Sequence, residues 1–93
     1  MDITSLYQLY KAASGFTTDS RKIQPGYLYF ALKGEHFDGN SFAAKALEQG
    51  AAYAIIDRSE YRTDDRCILV SDVLQTMQQL GLHHRRQLPL KAV

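Results

Sequence analysis

The sequence predicts a small α/β domain: a short, mostly parallel sheet containing a βαβ unit, with flanking helices. Three observations carry this. Residues 27–32 and 51–56 are apolar almost throughout, as in strands covered on both faces. Between them, residues 40–49 put Ala43, Ala46 and Leu47 on one helical face and stop at Gly50. Strand, helix and strand then fall within about 30 residues, the compass of a right-handed parallel crossover.

The remaining elements follow from spacing. Ile3, Leu6, Tyr7 and Tyr10 recur at i, i+3, i+4 and i+7, which predicts an amphipathic helix capped by Asp2 or Thr4 and ending by Gly15. Phe16-Thr17-Thr18 is read as a short strand. Gln24-Pro25-Gly26 is a turn signal, because proline presets one central residue and glycine accepts a positive φ at the next. Residues 57–66 are charged and are expected to form an exposed loop. Cys67-Ile68-Leu69-Val70 should be another strand, with its lone cysteine acting as a small buried hydrophobe. A last helix is expected from Ser71-Asp72, where Asp72 and Gln75 are spaced as a capping box. Val73, Met77 and Leu80 form its apolar stripe, and it runs to about Gln87 before Pro89 stops it. The closing Leu90-Lys91-Ala92-Val93 reads as a strand beginning at a domain boundary.

Composition bounds the function. Ninety-three residues suffice for one domain, burying roughly 60–65% of the unfolded surface. Eleven basic and 10 acidic residues leave a net charge of +1, so there is no broad field to gather nucleic acid or an anionic membrane. One cysteine excludes an internal disulfide. No run approaches the roughly 20 apolar residues of a membrane span, and the N-terminus lacks the pattern of a signal peptide. The expected compartment is the cytoplasm.

Two segments carry candidate chemistry. Lys33-Gly34-Glu35-His36-Phe37-Asp38-Gly39 lies between a strand and a helix start, where backbone N–H groups suit phosphate and glycines allow close approach. From spacing alone an ordinary βα connection, with turn glycines and Asp38 as an N-cap, is the somewhat stronger reading. Thr17-Thr18-Asp19-Ser20-Arg21 groups hydroxyls, a carboxylate and a guanidinium able to grip phosphate or a base edge, or a local Asx-type turn. There is no G-x-x-x-x-G-K-[ST] loop, no nucleophile–base pair and no metal-ligand cluster. His83-His84-Arg85-Arg86 best complements a helix C-terminus, since adjacent histidines do not form an i, i+4 ligand pair. Asp64-Asp65 reads as a solvated turn. Six tyrosines and the aromatic run at 27–30 raise RNA stacking as an alternative. Near-neutral charge and two-face burial oppose it.

Together, Thr18-Asp19-Ser20-Arg21, Pro25-Gly26-Tyr27-Leu28-Tyr29-Phe30-Ala31-Leu32 and the 33–39 loop resemble the N-terminal domain of the Mur ligases, ATP-dependent amide-forming enzymes of peptidoglycan synthesis. The pattern is most similar to the MurF type, which adds D-alanyl-D-alanine to a UDP-N-acetylmuramoyl-tripeptide. The MurE type is the near alternative, and a non-enzymatic interaction domain the more distant one. The resemblance spans essentially the whole chain. It implies that residues 1–93 are a UDP-sugar-binding domain, with Thr18, Ser20, Arg21, Lys33, Gly34, Glu35, His36, Phe37, Asp38 and Gly39 near the uridine diphosphate. It also implies that the chain alone is catalytically inactive and holds no cofactor. ATP and Mg2+ would serve the full-length bacterial enzyme through further domains. Tyr27 and Tyr29 depart from the family pattern, which more often has an acid and a phenylalanine there.

Overall fold

A computed structural model describes residues 3–33, 38–63 and 65–87, except the side chains of residues 85–87. Four strands form one sheet in the order β1-β2-β3-β4, every pair parallel. They are β1 (Gly15–Thr17), β2 (Tyr27–Phe30), β3 (Tyr53–Ile56) and β4 (Cys67–Leu69). The helices are α1 (Ile3–Ala12), α2 (Ala43–Glu48) and α3 (Val73–Gln87), and 3-10 turns occupy Ser20–Lys22, Gly39–Phe42 and Ser59–Tyr61.

Strand periodicity sorts the core into two clusters. Tyr29, Ala31, Ala54, Ile56 and Cys67 pack with Ala43, Ala46 and Leu47 of α2. Leu28, Phe30, Ile55 and Ile68 pack with Leu6 and Tyr7 of α1 and with Val73 and Leu80 of α3. The expectation of strands buried on both faces thus holds for β2 and β3. Cys67 is buried and free, as the apolar run around it implied.

Local chemistry sets the element ends. The Tyr27 N–H donates to the Gln24 carbonyl at 3.1 Å, closing the Pro-Gly turn. After α2, Gly50 takes φ +113°, while its N–H bonds to Leu47 and that of Ala51 to Ala46, at 3.1 Å each. This paired pattern is a Schellman stop, whose left-handed position suits glycine. Asp72 caps α3 by accepting from the Gln75 N–H at 2.9 Å.

Some boundaries differ from expectation. Residues 40–49 do not form one helix: Asp38 accepts from the Asn40 N–H, winding 39–42 into a tight 3-10 turn before α2 starts. Gly15 opens β1 rather than closing α1, which ends at Ala12. Thr4 lies inside α1, and Asp2 and Pro89 are outside the described residues. The described residues of the 57–66 segment are mostly exposed, as expected, with Tyr61 packed against the α2-side core. Arg58 stands over its ring, 5.9 Å from the centroid.

Candidate functional site

At the carboxyl ends of β1 and β2, on the side covered by α2, lies a pocket of ≈ 550 Å³ lined by Thr18, Asp19, Ser20, Arg21, Tyr29, Phe42 and Lys45. That volume lies within the usual range of small-molecule sites.

Its first wall is the turn after β1. The Thr17 hydroxyl oxygen accepts from the Asp19 N–H at 3.0 Å. Asp19 Oδ1 in turn accepts from the Arg21 N–H at 2.9 Å, so the Asx-type turn read from the sequence is formed. The same carboxylate grips the Arg21 side chain through Nε at 3.1 Å and Nη2 at 3.0 Å. The Arg21 side-chain bond, followed by its backbone bond, draws the Asp19 carboxyl down to about 2. Arg21 is otherwise 85% exposed, and its remaining N–H groups stay open to a ligand.

The floor is Tyr29, whose hydroxyl donates to the Gly39 carbonyl at 2.9 Å. Burial, reinforced by the charges of Asp19 and Asp38, pushes the Tyr29 phenol up to about 12. The opposite wall is α2 and the turn preceding it: Phe42 is 39% exposed despite its size, and Lys45 lies one turn on.

The described ends of the 33–39 loop are tied together next to this site. Lys33 and Asp38 form an antiparallel bridge, and the Gly39 N–H donates to the Leu32 carbonyl at 2.8 Å. A Cβ on Gly39 would stand 2.5 Å from the Leu32 oxygen, so close backbone approach explains this glycine. Burial pushes the Asp38 carboxyl up, but hydrogen bonds from Asn40 and the Arg58 guanidinium outweigh it and hold the group below its ordinary value. Asn40, 1% exposed, donates through Nδ2 to Asp38 at 2.7 Å and to Asp57 at 2.9 Å. Its Oδ1 accepts from the Asp57 N–H at 3.0 Å.

Of the sequence-predicted residues, Thr18, Ser20 and Arg21 share the pocket wall. Lys33, Asp38 and Gly39 sit at the loop's base, where the N-cap reading of Asp38 is realised. Gly34, Glu35, His36 and Phe37 lie outside the described residues. The amides of Gly39, Asn40 and Ser41 are all engaged by Leu32 or Asp38. Sequence reasoning passed over Tyr29, Phe42, Lys45 and Asn40 as site residues. An aromatic and a cation three apart at a helix start was the one available signal. His83 and His84 pack on α1, with His84 Nδ1 and the Tyr7 hydroxyl 2.9 Å apart in a shared hydrogen bond.

A parallel sheet with a pocket of small-molecule size at its strand ends describes a small α/β domain, and comparison with known proteins specifies its family. Residues 13–87 match the model of the Mur ligase family, catalytic domain, and the chain belongs to the Mur ligase family. It is 38% identical over 81 residues to the UDP-N-acetylmuramoyl-tripeptide–D-alanyl-D-alanine ligase of Bacillus subtilis, covering 85% of this chain and 18% of that protein. To the UDP-N-acetylmuramoyl-L-alanyl-D-glutamate–2,6-diaminopimelate ligase of Rickettsia typhi it is 33% identical over 76 residues, covering 82% and 15%. The MurF ligase of Thermotoga maritima in complex with ADP superposes with TM-score 0.71 at 31% identity, over 81% of this chain and 17% of that one. The fold is that of the MurF N-terminal domain, and the chain spans less than a fifth of the length of these relatives.

Proposed function

We propose that this chain holds the uridine diphosphate end of a UDP-N-acetylmuramoyl-peptide for an ATP-dependent ligase that adds D-alanyl-D-alanine. The observation carrying this reading is the pocket itself, where hydroxyls, a fork-held arginine, a lysine and an exposed aromatic converge on ≈ 550 Å³. Thr18, Ser20 and Arg21 are assigned to the uridine diphosphate portion. The 33–39 loop is assigned with them, its ends held together at Lys33 and Asp38.

In the complete cytoplasmic enzyme, ATP would phosphorylate the peptide's terminal carboxylate and the dipeptide amine would displace phosphate. This chain's part is positional: holding the distant nucleotide fixes where the reacting carboxylate lies. No group of three or more His, Cys, Asp or Glu suited to a metal ion occurs among the described residues. ATP and Mg2+ are assigned to the full-length ligase, as its ATP-dependent relatives suggest. No described helix is long and apolar enough to cross a membrane.

The test is an NMR titration of the labelled chain with UDP-N-acetylmuramoyl-tripeptide, with ATP as control. Shifts centred on residues 18–21 and the 33–39 loop, produced by the UDP compound alone, are expected. Equal shifts with ATP, or shifts confined to the α1–α3 side, would overturn the reading. The 33% identity to a 2,6-diaminopimelate ligase supports the MurE type as the second reading. Assaying the full-length protein with each amino substrate separates the two.

A further inference from the structure

The pocket's cations are not equivalent. The Arg21 fork is already committed to Asp19 by two side-chain bonds. That ion pair adds little net charge to the cavity. The nearby amides of residues 39–41 are spent on Leu32 and Asp38. Lys45 lines the same cavity, and its ammonium makes no hydrogen bond or ion pair among the described residues. One helical step of three residues before it stands Phe42, 39% exposed, where most aromatic side chains of that size are covered.

An unpaired ammonium beside an uncovered ring is the arrangement that takes an anion joined to a planar group. Resting on the reading of the pocket as a nucleotide-sugar site, we propose that Lys45 is its principal anion contact and Phe42 the surface on which the uracil ring lies. The Asp19–Arg21 pair then acts as a rigid rim. It offers its outward N–H groups to the same phosphates but contributes less to affinity than the free lysine. The polarity of the bound nucleotide follows: base against Phe42, diphosphate toward Lys45 and Arg21.

The experiment uses the 93-residue chain, NMR titration, and three probes: UDP, uridine and pyrophosphate. Lys45→Met is expected to weaken UDP and pyrophosphate by about tenfold or more, the loss of one charge-assisted contact, leaving uridine unchanged. Phe42→Leu is expected to weaken uridine and UDP by about fivefold or more, the scale of one base–aromatic contact, leaving pyrophosphate unchanged. Lys11→Met removes the same charge from α1 and should change nothing. Lys45→Gln and Phe42→Met repeat both arms with smaller packing changes, and each variant's amide spectrum away from the pocket reports that it is folded. UDP binding that survives Lys45→Met but is lost in Arg21→Ala overturns the inference and leaves the nucleotide-site reading standing. Wild-type chain unresponsive to all three probes at concentrations on the order of 10 mM removes that reading, and this inference with it.

Discussion

Asn40→Asp is the most informative single change in the molecule, because it preserves shape while reversing the electrostatics of a buried junction. In the native chain Asn40 Nδ2 stands 2.7 Å from Asp38 Oδ1 and 2.9 Å from Asp57 Oδ1, bridging two carboxylates with two N–H bonds. An aspartate there puts a third carboxylate oxygen at hydrogen-bond distance from both. Two unit charges 4 Å apart repel by roughly 4 kcal/mol at an effective dielectric of about 20. Arg58, 2.9 Å from Asp38 Oδ2, screens part of this, and relaxation removes more. A deficit of about 3–5 kcal/mol at pH 7 results, the range for breaking one partner of a buried charged network. For a domain this size that lowers Tm by roughly 15 °C or more. The pH dependence carries the sign. The new carboxyl, crowded by two others, has a folded pKa above its unfolded value of about 4. Its protonated form can donate as Asn40 does, so the deficit is full at neutral pH and shrinks as pH falls through the raised pKa. Thermal melts of both chains by circular dichroism at pH 7 and 4.5 measure this. A variant as stable as wild type at pH 7, or a deficit that does not narrow at 4.5, refutes the account of the junction.

Three further predictions follow from the same geometry. Gly39→Ala forces a Cβ to 2.5 Å from the Leu32 oxygen and 2.9 Å from its nitrogen, which are backbone atoms that cannot swing away. Denaturant titration should show a loss of about 1–3 kcal/mol. Tyr29→Phe removes the bond to the Gly39 carbonyl and should cost about 1 kcal/mol in the same assay. In the native chain, ultraviolet titration should find Tyr29 ionising only near 12. That raised value means its stabilising contribution is complete below about 10 and is lost as pH climbs through 12. The Asp19 carboxyl carbon, followed by NMR, should titrate near 2. Its contribution is therefore present above about 4 and fades only as pH falls through 2, and Arg21→Gln should move the midpoint up toward the ordinary range but not fully, because the backbone bond to Asp19 remains.

What was legible in the sequence was local. The alternation Leu28, Tyr29, Phe30, Ala31 and its counterpart Ala54, Ile55, Ile56 assigns each side chain to a face with no tertiary information. Asp72 and Gln75 announce a helix start at fixed spacing, and Pro25-Gly26 a turn. The candidate residues Thr18, Ser20 and Arg21 were visible for the same reason, as polar groups crowded into one turn. What escaped was contact between distant positions. Asn40 meets Asp57 seventeen residues away and Tyr7 meets His84 seventy-seven away, separations that leave no period to detect. Tyr29 sat inside an apolar run and was read as core, which it is. Its second role, bonding the Gly39 carbonyl beneath the pocket, depends on a loop returning over its own strand.

The pocket's position follows from what the connections can cover. Strand order runs β1-β2-β3-β4 without reversal, so the sheet has no switch point to open a crevice between oppositely directed crossovers. The connections instead share one face: Ile23 from the first and Tyr61 from the third pack into the same cluster as α2. A parallel crossover ordinarily takes a dozen or more residues and a helix. The link between β1 and β2 spans only residues 18–26 and holds a single 3-10 turn. Its 3-10 turn touches α2, whose Ala43 and Ala46 pack in one cluster with Ala31 and Ala54, but the link brings no helix to fill the space beside that contact. The uncovered strip between turn and helix is floored by Tyr29, walled by Arg21 on one side and by Phe42 and Lys45 on the other. A helix of ordinary length in the first connection would fill that strip. The short link thus leaves the space, and the polar turn at 18–21 places hydrogen-bonding groups along its edge.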